Sequence, residues 1–212
     1  MIYTFFIVWL GVMAVQASPG PNMFAVAETA LSSGRRPAFF VVLGIGTGSM
    51  LWSVLAALGM GALFSAIPPL LTALKFLGGA YLLYMGWRGL RAAWRGIEAK
   101  VTAGNRPKLT APAAWRRGFI VVMTNPKAAM MWVAITTLLY GAGMGNVQVL
   151  AFGPVTATSA LAIYGFYAWL FSTGAATRGY SRFWRWIDAA FGTAFGAFGS
   201  VLLVSGLRDL RP

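Results

Sequence analysis

Two short polar runs, each centred on proline, interrupt otherwise apolar stretches of this chain: Gln16-Ala17-Ser18-Pro19-Gly20-Pro21-Asn22 and Met123-Thr124-Asn125-Pro126-Lys127. In each, a capping residue stands directly before proline (Ser18-Pro19 and Asn125-Pro126), which is the signature of a helix start. A helix start carries unpaired N–H groups and a partial positive charge, so it can seat an anion. The side chains beside these starts suit recognition of a small polar molecule. Asn22 and Asn125 each offer donors and an acceptor, Ser18, Thr124 and Ser49 offer hydroxyls, and Lys127 offers an ammonium. Bond-making chemistry is much harder to assemble. The chain has no Cys and no His, which removes thiol nucleophiles, imidazole bases, zinc sites, haem ligation through either residue and iron–sulfur clusters. No catalytic residue, metal or cofactor is expected. The acidic residues number only four: Glu28, Glu98, Asp188 and Asp209.

The elements that position these residues follow from composition. Of 212 residues, 58% are hydrophobic and 10% are charged, against about 25% charged in an ordinary soluble domain. A soluble domain of this size has too much surface to hide that much apolar matter, and a disordered chain is excluded for the opposite reason. The pattern is that of a polytopic, all-α integral membrane protein. The net charge of +13 is better explained by basic loops facing a cytoplasm than by a nucleic-acid partner.

A bilayer core needs about 20 apolar residues per helix, and six spans are expected. The first 27 residues are uncharged and contain the first polar run. The second span begins at Pro37 and ends before Ile67-Pro68-Pro69; the third is 70–87, the fourth 118–140, the fifth 147–171 and the sixth 187–207. Val15-Gln16-Ala17 resembles a cleavage site, but no positive charge precedes Arg35, so the first span is expected to be retained. With six spans, the first, third and fifth loops share one side. They hold 13 of the 17 basic residues, which places them in the cytoplasm and both termini outside. The organisation is then residues 1–90 as a first three-helix unit, 91–117 as a basic cytoplasmic linker in contact with the inner leaflet, and 118–212 as a second three-helix unit.

The two units resemble each other. Gly79, Leu82, Leu83, Gly86 and Arg88 recur 120 residues on as Gly199, Leu202, Leu203, Gly206 and Arg208. Three spans per unit invert the second relative to the first. A 3+3 inverted repeat with helices 1 and 4 broken at matched positions is a transporter architecture, and its breaks mark the binding site. Pro126 lies eight residues past Gly118, about 12 Å deep by helix rise, and Ser18 lies fifteen from Ser33, about 22 Å. Both breaks therefore fall near mid-membrane, with Pro19, Gly20, Pro21 and Pro126 as the breaking residues. At that depth Lys127 has no acidic residue to pair with, so it is either neutral or completed by an anion, and the favoured partner is a substrate carboxylate. Glu28, about two turns past Pro21, is either an interfacial partner of Arg35 or Arg36 or, as an ionisable group near the membrane, a proton carrier. The glycines of the second and sixth spans are expected to serve close helix packing.

Ser18-Pro19-Gly20-Pro21-Asn22 followed by Ser33-Gly34-Arg35-Arg36, Gly44-Ile45 with Gly48, Gly79-Ala80-Tyr81-Leu82-Leu83-Tyr84-Met85-Gly86-Trp87-Arg88, Arg117-Gly118-Phe119 and Asn125-Pro126-Lys127-Ala128 occur in the order seen in the LysE/RhtB amino-acid exporters. The chain resembles that family over nearly its whole length. The resemblance implies a multi-pass protein of the bacterial inner membrane that exports amino acids or close derivatives, driven by the proton-motive force through alternating access, with lipid as its surroundings and a homo-oligomer as one possible assembly. In many relatives an Asp follows the glycine matching Gly48; here Ser49 stands there, which removes a counter-charge for an amino group. Two other readings remain open at this level: an exporter of a simple organic anion, and a membrane scaffold that transports nothing.

Overall fold

The computed structural model describes residues 2–60, 66–67, 69–95, 109–173 and 175–210; the side chains at 60, 71, 175–184 and 187 are not described. Among these residues there are eight α-helices and no strand: α1 (Ile2–Ala17), α2 (Pro21–Ser33), α3 (Arg35–Leu55, continued by a π-helical turn Ala56–Met60), α4 (Pro69–Arg95), α5 (Ala111–Thr124), α6 (Pro126–Gly141), α7 (Asn146–Phe171) and α8 (Ala175–Asp209). Helices α3, α7 and α8 contain segments long and apolar enough to cross a membrane singly, and the bent pairs α1–α2 and α5–α6 raise the number to five. The third expected span is α4, which runs to Arg95, beyond Trp87. The central part of the expected 91–117 linker lies outside the described residues, and the linker's last turns are the start of α5.

The proline runs break the helices where the sequence places them. Pro19 and Pro21 have no N–H to continue α1, and α2 leaves at 47° from it; α6 leaves at 59° from α5. At the second break the expectation holds in detail. Asn125 is extended, as the residue before proline should be, and its Oδ1 accepts from the Lys127 N–H at 3.0 Å. At the first break it does not. The N-cap of α2 is Gly20, without a side-chain cap, while the Ser18 hydroxyl turns back and donates to the Val15 carbonyl at 2.8 Å. Two residues separate Ser18 from the start of α2, so its hydroxyl is nearer the open carbonyls of α1 than the open N–H groups of α2.

Two apolar clusters fill the interior. One joins α2, α3, α5 and the C-terminal half of α7 through Val26, Val41, Ile45, Val122 and Phe171; the other joins α1, α6, α8 and the N-terminal half of α7 through Val12, Trp132, Leu139, Phe152 and Leu202. The breaks carry the chain from one cluster to the other, and Gln16, Ser18, Asn22, Asn125 and Lys127 are buried beside them. Outside, Leu43, Leu55, Ile120, Phe166 and Val201 are exposed, as lipid-facing positions are in a membrane protein.

Close packing rests on glycine, as lipid-embedded helices require. A Cβ at Gly44 would fall on the Trp115 carbonyl, and one at Gly118 on the Val41 carbonyl, so α3 and α5 touch backbone to backbone. Helices α4 and α8 meet along a second seam, where a Cβ at Gly199 would lie 2.8 Å from the Gly79 carbonyl oxygen and one at Gly79 would lie 3.0 Å from that of Gly199. Gly34, at φ 90°, makes the turn between α2 and α3 in the left-handed region that favours glycine.

Ion pairs tie the two ends of the molecule. Lys75 of α4 meets Asp209 of α8 at 2.6 Å. Glu28 of α2 pairs with Arg117 of α5 at 2.6 Å, and Arg117 also donates to the Thr29 hydroxyl at 2.9 Å. The expected pairing of Glu28 with Arg35 or Arg36 is therefore corrected: Arg35 Nε donates to the Ser172 hydroxyl at 3.0 Å instead. The chain bend at Gly34 starts a new helix before either arginine, whereas α5 packs alongside α2.

Candidate functional site at the helix breaks

The two breaks meet. Asn125 Nδ2 donates to Asn22 Oδ1 at 3.0 Å, and Asn22 Nδ2 lies 3.4 Å from the Tyr164 hydroxyl of α7. Both asparagines are buried, at 7% and 4% exposure. Residues 103 apart in sequence thus join the first turn of α2 to the cap of α6. The last turn of α1 is pinned from the other side. Gln16 donates to the Thr156 carbonyl at 2.9 Å and accepts from the Ser159 hydroxyl at 2.8 Å, and Tyr167 donates to the Ala17 carbonyl at 2.6 Å.

Lys127, 8% exposed, reaches from the first turn of α6 across to the end of α1. Its ammonium donates to the Ser18 carbonyl at 3.0 Å, to the Ser18 hydroxyl, and toward the Pro19 carbonyl at 3.4 Å; it also stands over the Phe195 ring of α8 at 5.6 Å. The sequence led to the expectation of a lysine among positive helix starts, either neutral or completed by an anion. The structure adds neutral acceptors to that picture. The C-terminal end of α1, with its open carbonyls and partial negative charge, faces the ammonium and supplies neutral acceptors. Gly20 makes room, since a Cβ there would sit 3.2 Å from Lys127 Nζ.

Two cavities flank this lysine, and Ser18, Gly20, Asn125 and Lys127 line both. The narrow one, with space of about 20 Å³, is closed off by Gln16, Asn22, Ser49 and Tyr164; it has room for about one water. The wide one, about 470 Å³, runs between the breaks and the α4–α8 pair, past Tyr81 and Phe195, to Arg88 and Asp188 at its rim.

Of the residues singled out from the sequence, Ser18, Asn22, Asn125 and Lys127 are brought together, and Pro19, Gly20, Pro21 and Pro126 line the wide cavity. Ser49 is buried beside them, although its hydroxyl donates to the Ile45 carbonyl of its own helix at 2.9 Å. Thr124 is not brought in: it is exposed and its hydroxyl donates back to the Ile120 carbonyl at 2.8 Å. Thr124 is the last residue of α5, on the outer face of that helix, and the chain turns inward only at the extended Asn125. Glu28 lines neither cavity. Sequence reasoning passed over Gln16, Tyr164, Tyr81 and Asp188 as site residues. Gln16 had a signal, an amide within a long uncharged run; the tyrosines were hidden among fifteen percent aromatic residues.

Two broken helices meeting around a buried lysine, beside a wide cavity, fit the architecture of a membrane transport protein. Residues 6–206 match the family model for the LysE type translocator, and the chain belongs to that family. It is accordingly a multi-pass transport protein and not an enzyme. It is 31% identical over 205 residues to the threonine efflux protein of Salmonella typhi, covering 97% of this chain and 100% of that one. It is 31% identical over 188 residues to the threonine efflux protein of Escherichia coli K12, covering 89% and 91%. It is also 28% identical over 195 residues to the uncharacterized membrane protein YahN of Escherichia coli K12, covering 91% and 85%. No solved structure matches the chain.

Proposed function

We propose that the protein exports small amino acids or close derivatives across a bacterial inner membrane, by alternating access around the helix breaks and driven by the proton-motive force. The observation that carries the reading is Lys127: a buried ammonium at the junction of two broken helices, on the wall of a cavity of about 470 Å³. An α-carboxylate entering from that cavity competes with the Ser18 and Pro19 carbonyls for the ammonium. Both contacts are charge-assisted, and the carboxylate adds a full opposite charge that a carbonyl lacks, so binding loosens the tie between α1 and α6, and that change is what lets the cavity close behind the substrate. Asn22 and Asn125 then hydrogen-bond the substrate, with the exposed end of the α6 first turn nearby. The two threonine efflux relatives make L-threonine the first substrate to try.

The proposal includes six spans in a 3+3 inverted repeat, with α4 as the third span beside the five that α1–α2, α3, α5–α6, α7 and α8 supply. Its length of 27 residues, about 40 Å by helix rise, its packing along α8, and the reciprocal Gly79–Gly199 contact support it. In the proposal the Arg88–Asp188 end of the wide cavity faces the cytoplasm and both termini lie outside, an orientation that the charge of the basic loops supports. Glu28 is the proposed coupling residue: protonation would release Arg117 and separate α2 from α5.

A second reading, export of a simple organic anion, is favoured by Ser49, because no carboxylate lines the narrow cavity. Counterflow in proteoliposomes loaded with L-threonine decides between them. Exchange of labelled L-threonine, inhibited by other zwitterionic amino acids and not by simple carboxylates, is expected. Inhibition by carboxylates alone would establish the second reading, and no exchange with either would refute transport of both classes.

A further inference from the structure

The acidic residues of this chain are few enough to follow one by one. Glu28 is held by Arg117 and Asp209 by Lys75. Among the described carboxylates, Asp188 alone makes no hydrogen bond and no ion pair. It is half-buried and lines the rim of the wide cavity. A carboxylate partly withdrawn from water normally finds a partner, because an unmet charge there is costly. A cation is close at hand. Arg88 lines the same rim from the facing helix, and the α4 and α8 backbones touch at this level: a Cβ at Gly89 would lie 2.9 Å from the Asp188 carbonyl oxygen. Yet the two do not pair. The Arg88 guanidinium lies over the Tyr84 ring at 5.8 Å.

A guanidinium and a carboxylate on opposite walls of one mouth, each without its counter-charge, match a molecule that carries both charges on adjacent atoms. We propose that Arg88 and Asp188 form a capture site for a zwitterionic α-amino acid at the mouth of the wide cavity, Asp188 taking the ammonium and Arg88 the carboxylate, before the molecule moves inward to Lys127. This rests on the exporter reading above. Asp188 is seven residues from Phe195 on α8, about 10 Å along the axis, and the Lys127 ammonium stands over the Phe195 ring. One small amino acid cannot bridge that span, so capture and deep binding are successive. The site also supplies, at the mouth, the acidic counter-charge that Ser49 does not supply in the membrane interior.

The test uses everted membrane vesicles, whose outer medium faces the cytoplasmic side, and two labelled probes: L-threonine and 3-hydroxybutyrate, the same molecule without its amino group. Wild type should take up L-threonine with the higher kcat/KM. Asp188→Asn should lower kcat/KM for L-threonine about tenfold, through KM and with kcat retained, the scale of one charge-assisted contact. It should leave 3-hydroxybutyrate unchanged. Asp188→Glu should keep most of the preference, and Arg88→Gln should weaken both probes because both carry a carboxylate. Equal loss on both probes in Asp188→Asn, or no loss, would overturn the capture site while leaving the exporter reading in place. Equal handling of the two probes by wild type would overturn it without recourse to any variant. Uptake of neither probe, nor of other amino acids, by wild type would defeat the exporter reading itself.

Discussion

Replacing Lys127 by Met separates what this residue does for the fold from what it does for the substrate. The ammonium meets the Ser18 carbonyl at 3.0 Å, the Ser18 hydroxyl, and the Pro19 carbonyl at 3.4 Å. Met removes these bonds and leaves the carbonyls without that partner, at about 1–3 kcal/mol for a buried group fully orphaned. It also removes a charge from the membrane interior, which costs about 2.5–3.5 kcal/mol on the insertion scale. The two effects oppose and are of the same size. Lys127→Met should therefore reach the membrane and purify as a monodisperse protein, with thermal stability close to wild type. Binding has no such compensation. A charge-assisted contact to a substrate carboxylate contributes about 1.5–3 kcal/mol, and at about 1.4 kcal/mol per decade its loss weakens binding roughly tenfold to a hundredfold. Lys127→Arg should recover only part, because the wider guanidinium must fit where Gly20 leaves space for an ammonium. The assay is calorimetric titration of L-threonine into purified wild type and variants in detergent. Equal affinities of wild type and Lys127→Met would refute the reasoning and leave Lys127 as a tie between α1 and α6.

Replacing Pro19, Gly20 and Pro21 together by Ala should let α1 run on into α2, bury the freed N–H groups in one continuous ladder and abolish efflux with normal membrane insertion; normal efflux would reduce the break to an incidental kink. Gly118→Leu should push α5 off the Val41 carbonyl of α3 and destabilise by about 1–3 kcal/mol or more, read as a lower melting temperature by tryptophan fluorescence, whereas the same change at Gly59, which has open space around it, should do little. Glu28→Gln should make efflux insensitive to an imposed pH gradient while exchange continues; retained proton-driven efflux would remove Glu28 from coupling. The chain has no Cys, so single cysteines report topology: Ala142→Cys should react with an impermeant maleimide in intact cells and Thr173→Cys only after permeabilisation, and the reverse pattern would overturn the orientation.

Much of this architecture was legible along the chain because its causes are local. Long uncharged runs mark spans, since a bilayer leaves no other place for them. Proline weakens a helix where it falls, because it lacks the N–H and crowds the preceding turn; both bends stand at the expected residues, where a capping residue or a second proline adds to the effect, whereas α7 runs on through Pro154. The Asn125 cap formed because donor and acceptor are two residues apart. The glycine seams followed for the same reason, as only glycine lets helix backbones touch in lipid.

Which side chains meet at the breaks was decided by the tertiary structure alone. Ser18 turned back to α1, Thr124 turned outward, Glu28 found Arg117, and Gln16 found Ser159 143 residues away. In a soluble protein an apolar stripe fixes how each helix is rotated. Here lipid-facing and core-facing residues are both apolar, so the pattern of residues carries little record of rotation. Rotation is set instead by the fit of one helix against the next, at Gly44 with Trp115 and at Gly79 with Gly199. That fit turned Lys127 toward the carbonyls of α1 and left Asp188 facing the open cavity. Sequence thus determined the membrane class, the breaks and the polar residues available near them; helix packing determined which of those residues share a site, because rotation about a helix axis is a property of neighbours and not of the helix's own sequence.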